Sequence, residues 1–147
     1  MSYVFGNIDI NLARKLLKKT QSIIWSGLIE LKGNYATRYG NDEQKIEELF
    51  NSTINTLFIE QGLKTDNVEY FCALHTNTDI PHIHFLYWEK KPLITYTKLL
   101  EDEKWSKFMV PKKAINDFKK AIVNFSQIYK KEEIYISVKD VDGIGKS

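Results

Sequence analysis

The stretch Val68-Glu-Tyr-Phe-Cys-Ala-Leu-His75, followed after a polar loop by His82-Ile-His-Phe-Leu-Tyr-Trp88, predicts two strands of a β-hairpin. The loop, Thr76 to Pro81, has the composition of a turn. Pairing across the hairpin would bring His75 opposite His82, with Cβ atoms about 5 Å apart. Because His84 is two residues beyond His82, strand geometry places both on one face. Three imidazoles would then converge, which is the geometry of a metal site with open positions for a substrate.

The alternative is that these are ordinary histidines. A single histidine on a strand is more often a surface or half-buried side chain than a metal ligand. Here, however, all three histidines of the chain fall within ten residues, at positions 75, 82 and 84. This spacing favours a metal site over an accidental cluster.

Composition limits the class of protein. A chain of 147 residues suits one domain with a sizeable core, and 43% hydrophobic content indicates a globular fold. Cys72 is the only cysteine, which excludes a disulfide framework and a zinc-thiolate cluster. The N-terminus has no signal-peptide pattern, and no apolar run approaches the ~20 residues of a membrane span. We therefore expect a cytoplasmic protein without a membrane segment.

Hydrophobic patterning predicts an α+β two-layer sandwich, with helices packed on a mostly antiparallel sheet. The predicted helices run from Ile10 to Lys19, from an Asn41 N-cap with Gln44 in its first turn to Gly62, and onward from Pro111. The predicted strands cover about residues 22–32, 68–75, 82–88 and 133–141, and a loop covers Gly33 to Asn41.

The run His75-Thr-Asn-Thr-Asp-Ile-Pro-His-Ile-His-Phe85 resembles the third motif of plasmid mobilization (Mob-type) relaxases, members of the HUH endonuclease superfamily. That motif typically reads His-x-Asp/Asn-Thr-Asp-Asn-Pro-His-hydrophobic-His, and Ile80 stands where the family often has Asn. Flanking segments extend the resemblance over roughly Gln21 to Gln127. We therefore expect one relaxase-like HUH domain over residues 1–147, truncated at its N-terminus relative to the family.

The resemblance implies a five-stranded antiparallel palm and a divalent metal held by His75, His82 and His84. The family generally works with Mn²⁺ or Mg²⁺, whereas imidazole ligands alone would also suit Zn²⁺ or Ni²⁺. Asp79 could accept a hydrogen bond from a ligand imidazole, or merely form the turn before Pro81, and both readings stay open.

The resemblance also implies the reaction and its partners. A relaxase of conjugation nicks single-stranded DNA at an origin of transfer through a phosphotyrosine intermediate, with accessory mobilization proteins as further partners. Its nucleophile is usually a tyrosine upstream of the histidines, which leaves Tyr3, Tyr35 and Tyr39 as candidates, with Tyr39 first among them. Candidate DNA contacts are Arg38, Lys112 and Lys113.

Two alternatives to an active nicking enzyme remain. One is a truncated or inactive relaxase domain that binds metal and single-stranded DNA without cutting it. The other is a rolling-circle replication initiator, a class that carries its tyrosine beyond the histidines. Tyr96 and Tyr129 occupy that side of the motif but lack the Tyr-x-x-Lys spacing of the initiators.

Overall fold

Five strands form a single sheet in the computed structural model of the chain, which describes residues 3–19, 23–76, 80–93, 110–128 and 135–144. The strands are β1 (Tyr3–Gly6), β2 (Ile24–Lys32), β3 (Val68–His75), β4 (His82–Glu89) and β5 (Tyr135–Ile144). The helices are α1 (Ile10–Lys19), α2 (Asn34–Tyr39), α3 (Glu43–Glu60) and α4 (Lys112–Ile128), and a 3₁₀ turn covers Thr65–Asn67.

The strand order in the sheet is β1-β3-β4-β2-β5, and every neighbouring pair is antiparallel. β3 and β4 are consecutive in the chain and pair over their whole length, from Val68 opposite Glu89 to His75 opposite His82. The predicted α+β sandwich with an antiparallel sheet is therefore confirmed.

One face of the sheet, which we call the helical face, packs on α3 and α4. Phe118 of α4 is fully buried, with its ring centroid 6.5 Å from that of Phe50 on α3 and 6.3 Å from that of Phe85 on β4. Alternate residues of each strand point to this layer because successive side chains in a strand alternate between faces. The main core thus lies between the sheet and these two helices.

The other face, which we call the open face, is covered at one end by α1. Ala13 of this helix packs with Ile24 and Trp88, which lie opposite each other on β2 and β4. In the same register, His84 and then His82 follow along β4, pointing to the same side as Trp88. The histidines therefore lie on the open face, towards the end away from α1.

Two local predictions were wrong, and one strand was not predicted. The unpredicted strand is β1, whose four residues are too few to show an alternating hydrophobic pattern. The predicted loop after Gly33 contains helix α2, whose six residues are also too short for a periodic signal. Finally, α3 begins after Asp42 rather than Asn41, because the Asp42 carboxylate accepts a hydrogen bond from the Lys45 backbone N–H at 3.1 Å.

Among the helices in the described ranges, none combines the length and the apolar character needed to span a membrane.

Candidate active site

The β3–β4 hairpin sets the positions of the three histidines. His75 lies opposite His82, and Ala73 lies opposite His84. Directly opposite residues of an antiparallel pair project to the same side, so His75, His82 and His84 share the open face. The pairing of His75 with His82 expected from sequence is confirmed by this register.

The imidazole rings are close enough to interact. The ring centroids of His75 and His84 are 5.4 Å apart, and their planes are nearly perpendicular, at 89°. Partial desolvation by the surrounding side chains, followed by the charges of His75 and His82, lowers the pKa of His84 below its usual value, although His84 is exposed overall. Each effect disfavours the imidazolium form. The neutral form is the one that binds a metal ion.

The strand register suits a metal ion at the three histidines, but the side-chain orientations in this structure do not. The register supplies three nitrogen donors on one face, which suits a divalent cation with positions left open for substrate. In the part of the chain that the structure describes, however, no group of three or more His, Cys, Asp or Glu side chains has the arrangement to hold a metal ion. A metal would thus require the imidazoles to adopt orientations other than those in this structure.

Glu30 is a further acidic residue at this site that the sequence analysis missed. It lies on β2 directly opposite His82 and is only 9% exposed. A carboxylate beside a histidine can accept a ring N–H hydrogen bond and fix the tautomer of the imidazole. The sequence could indicate that Glu30 is on a strand, but not that β2 would pair with β4 in this register. Asp79, the predicted partner of a ligand imidazole, is outside the described residues.

Residues of β2 and the turn after α2 lie against the segment that leads into His82. The backbone N–H of Leu31 donates to the carbonyl of Pro81 at 3.1 Å. A Cβ added to Gly40, just after α2, would lie 2.9 Å from Cγ of Pro81 and 2.3 Å from the carbonyl oxygen of Ala36. Only glycine fits there without displacement. The C-terminal end of α2, which carries Arg38 and Tyr39, is therefore held at the histidine end of the sheet.

The three candidate nucleophiles differ in exposure. Tyr3 lies opposite Leu74 and points to the helical face, where its hydroxyl donates to Glu47 at 2.5 Å. That hydrogen bond is the main cause of the raised pKa of Tyr3. Tyr35 is only 1% exposed, and its hydroxyl reaches the carbonyl of Lys45 at 3.5 Å.

Tyr39 is partly exposed and has cations on its ring. The Arg38 guanidinium carbon and the Lys45 ammonium lie 6.0 Å and 5.9 Å from its ring centroid. Its ring also packs beside Tyr35, with 4.8 Å between centroids, against the core of the helical face. Tyr96 and Tyr129 lie outside the described residues.

The structure does not bring Lys112 and Lys113 to the histidines. Both open α4 on the helical face, and the Lys113 ammonium contacts Glu60 at 2.8 Å and Asp117 at 2.7 Å. The helix on the open face is α1, whose exposed basic residues are Arg14, Lys15, Lys18 and Lys19. The hydrophobic pattern predicts helix α1, but the face of the sheet on which α1 packs depends on the tertiary fold.

Comparison with known proteins gives the family. The sequence model of the MobL relaxases matches residues 7–136, a range that includes β2, β3, β4 and all three histidines. No curated protein and no solved structure matches the chain significantly. Because the match covers most of its length, the chain belongs to the MobL relaxase family, which supports a role as a mobilization relaxase and implies that it binds DNA.

Proposed function

We propose that this relaxase nicks single-stranded DNA at an origin of transfer, on the open face, with a divalent metal and a phosphotyrosine intermediate. The observation that carries the proposal is the register of the β3–β4 hairpin, which gathers His75, His82 and His84 on a face that no described helix covers at that end. A plasmid DNA substrate would place the reaction in the cytoplasm, with accessory mobilization proteins as possible partners of the complex.

The three histidines would hold the cation, with Mn²⁺ or Mg²⁺ as the expected metal and Zn²⁺ or Ni²⁺ as ions that also suit imidazole. A bound divalent ion polarises a non-bridging phosphate oxygen and stabilises the charge that develops during displacement at phosphorus. Glu30, opposite His82, would hold that imidazole in the tautomer and orientation needed for ligation.

Tyr39 is the proposed nucleophile, since it is more exposed than Tyr35 and because the hydroxyl of Tyr3 is bound to Glu47 on the helical face. Its phenol oxygen, after losing its proton to a base, would form a bond to phosphorus. The bond from phosphorus to the 3′ oxygen would break, and that oxygen would leave as a hydroxyl after taking up a proton. The 5′ phosphate stays on the tyrosine, and Arg38 is placed to contact it.

A second candidate function rests on a specific observation. Tyr3, Tyr35 and Tyr39 all pack against the core of the helical face. A relaxase domain whose tyrosines are held there would bind metal and single-stranded DNA on the open face without forming the covalent link. The two functions share a site and differ in whether a tyrosine reaches the phosphate.

Covalent trapping separates the two. The protein is incubated with Mn²⁺ and end-labelled single-stranded oligonucleotides that tile the mobilization region of its plasmid or element. The active enzyme gives a denaturation-resistant, protease-sensitive adduct that EDTA prevents and Tyr39→Phe abolishes, while Tyr3→Phe leaves it intact. Mass spectrometry of the adduct names the tyrosine. Binding of these oligonucleotides without any adduct would support the non-nicking domain and contradict the active enzyme.

A further inference from the structure

A pocket lies on the open face between the histidines and α1. It has a volume of about 150 Å³ and is lined by residues of β2, β3 and β4, namely Ser26, Gly27, Phe71, Ala73, His84, Phe85 and Leu86. In the sheet register, Ser26, Leu86 and Phe71 form one row across the face, and His84 and Ala73 form the next. The pocket therefore shares His84 with the proposed metal site.

The room for this pocket comes from small side chains. Ala73 and Ser26 stand on either side of β4, where larger residues would fill the space above His84 and Leu86. Phe71 and Leu86 close the side towards α1, since both pack against the cluster of Ala13, Ile24 and Trp88. The lining is thus largely apolar, with the Ser26 hydroxyl and the His84 imidazole as its polar side-chain groups.

We propose that this pocket binds a single pyrimidine base of the single-stranded DNA, next to the phosphate held at the histidines. The inference rests on the proposed function and specifies the substrate. A cavity of about 150 Å³ with apolar walls is the size that accommodates one six-membered aromatic ring. A pyrimidine has one such ring, whereas a purine has a second, fused ring. Apolar walls with a few polar groups are typical of sites that fix the orientation of a flat ligand.

The surroundings supply the rest of a nucleotide site. The base would stack or pack against Phe71 and Leu86, and the Ser26 hydroxyl could hydrogen-bond with its edge. The exposed cations of α1, on the same face, would neutralise backbone phosphates on the side away from the histidines. One strand of DNA could then run along the face from α1 to His75, with one base turned into the pocket.

The test measures base preference in wild type and in variants that fill the pocket. Fluorescence anisotropy gives the Kd of labelled dT12, dC12 and dA12 in EDTA, where no cutting occurs. Wild type is expected to bind dT12 and dC12 at least about fivefold more tightly than dA12, because the second ring of adenine exceeds the size of the pocket. Ala73→Val and Ser26→Val each fill the pocket from a different strand and should reduce this ratio at least about threefold. The matched control is Val4→Ile, since Val4 pairs with Ala73 on the same face but does not line the pocket.

Each outcome is decisive once circular dichroism shows that a variant is folded. The pyrimidine pocket is supported if the preference for dT12 and dC12 over dA12 falls in Ala73→Val and Ser26→Val but is kept in Val4→Ile. If the folded filled variants keep the wild-type ratio, or wild type prefers dA12, the pocket proposal is overturned while DNA binding by the relaxase stands. If wild type binds none of the three oligonucleotides, the pocket proposal fails, while the proposed function is decided separately by covalent trapping with mobilization-region DNA. Because the two filling substitutions lie on different strands, one folded variant is enough for the comparison.

Discussion

His75 lies directly opposite His82 across the β3–β4 hairpin, so a single strand pairing brings together residues that are separated by the turn. The next pair on the same face is Ala73 with His84, which places the third imidazole beside a methyl group. A one-residue slip of this register would send His82 and His84 to the helical face. The buried residues that alternate with them, Ile83 and Phe85, oppose that slip because it would expose them.

The carboxylate of Glu30 is expected to support metal binding through His82. Glu30→Gln should weaken Mn²⁺ binding by about 10-fold to 100-fold, the usual effect of removing a carboxylate that orients a ligand histidine. Calorimetric titration with Mn²⁺ measures the change. Glu69→Gln is the matched control, because Glu69 lies on the same face at the opposite end of β3, opposite Trp88. Equal Mn²⁺ affinity in Glu30→Gln and wild type would remove Glu30 from the site.

The lysines of α1, rather than those of α4, are expected to contact the DNA backbone. Lys15→Ala and Lys18→Ala should each weaken binding of single-stranded DNA and reduce the magnitude of the negative slope of log K against log salt by about 0.7 per lost phosphate contact. Lys112→Ala, on the helical face, is the control and should change neither quantity. Anisotropy titrations measure the Kd and its salt dependence. A range of about 50 mM to 200 mM salt is used, because phosphate contacts change affinity strongly over it. The reverse pattern would place the DNA on the other side of the sheet.

The N-cap of α3 offers a test of the fold. Asp42→Ala should lower the free energy of unfolding by about 1 kcal/mol, because the carboxylate accepts a hydrogen bond from the first turn of the helix. Asn41→Ala, the control at the neighbouring exposed position, should change it by less than about 0.5 kcal/mol. Urea denaturation gives both values. A larger effect at Asn41 would restore the cap expected from sequence.

The contact of α4 with the sheet depends strongly on Phe118, which is fully buried between Phe50 and Phe85. Phe118→Ala should cost about 3–5 kcal/mol of unfolding free energy through lost burial and the cavity left behind. Phe118→Leu keeps most of the volume, so we expect a smaller loss, again by urea denaturation. A loss below 1 kcal/mol for alanine, far under the usual range for a buried aromatic, would mean that this ring is not part of the core.

The sequence was sufficient for elements with a clear period or motif. The hairpin of β3 and β4 was predicted because apolar runs flank a polar turn, and its histidines indicated the candidate metal site. The range predicted for α1, Ile10 to Lys19, agrees with the structure. By contrast, β1 has four residues and α2 has six, and elements this short do not show a recognisable hydrophobic periodicity.

The sequence did not show which strands and helices lie next to each other in the fold. Glu30 lies opposite His82 only because β2 lies next to β4 in the sheet, although the two strands are far apart in the chain. Lys113 was predicted to contact DNA because it is basic. Its position on the helical face, away from the histidines, follows from the packing of α4, which the sequence does not show. The pocket beside His84 likewise depends on Ser26 and Ala73, which come from different strands.

The account rests most directly on a metal site formed by the three histidines. Calorimetric titration of the full chain with Mn²⁺ should give one site in wild type, and His75→Ala, His82→Ala and His84→Ala should each weaken it by at least about 100-fold, because each removes one of three protein ligands. His84 is exposed, so its substitution is expected to leave the free energy of unfolding nearly unchanged and to isolate the effect on the metal. Wild-type affinity for Mn²⁺ in a folded His84→Ala variant would contradict the three-histidine site.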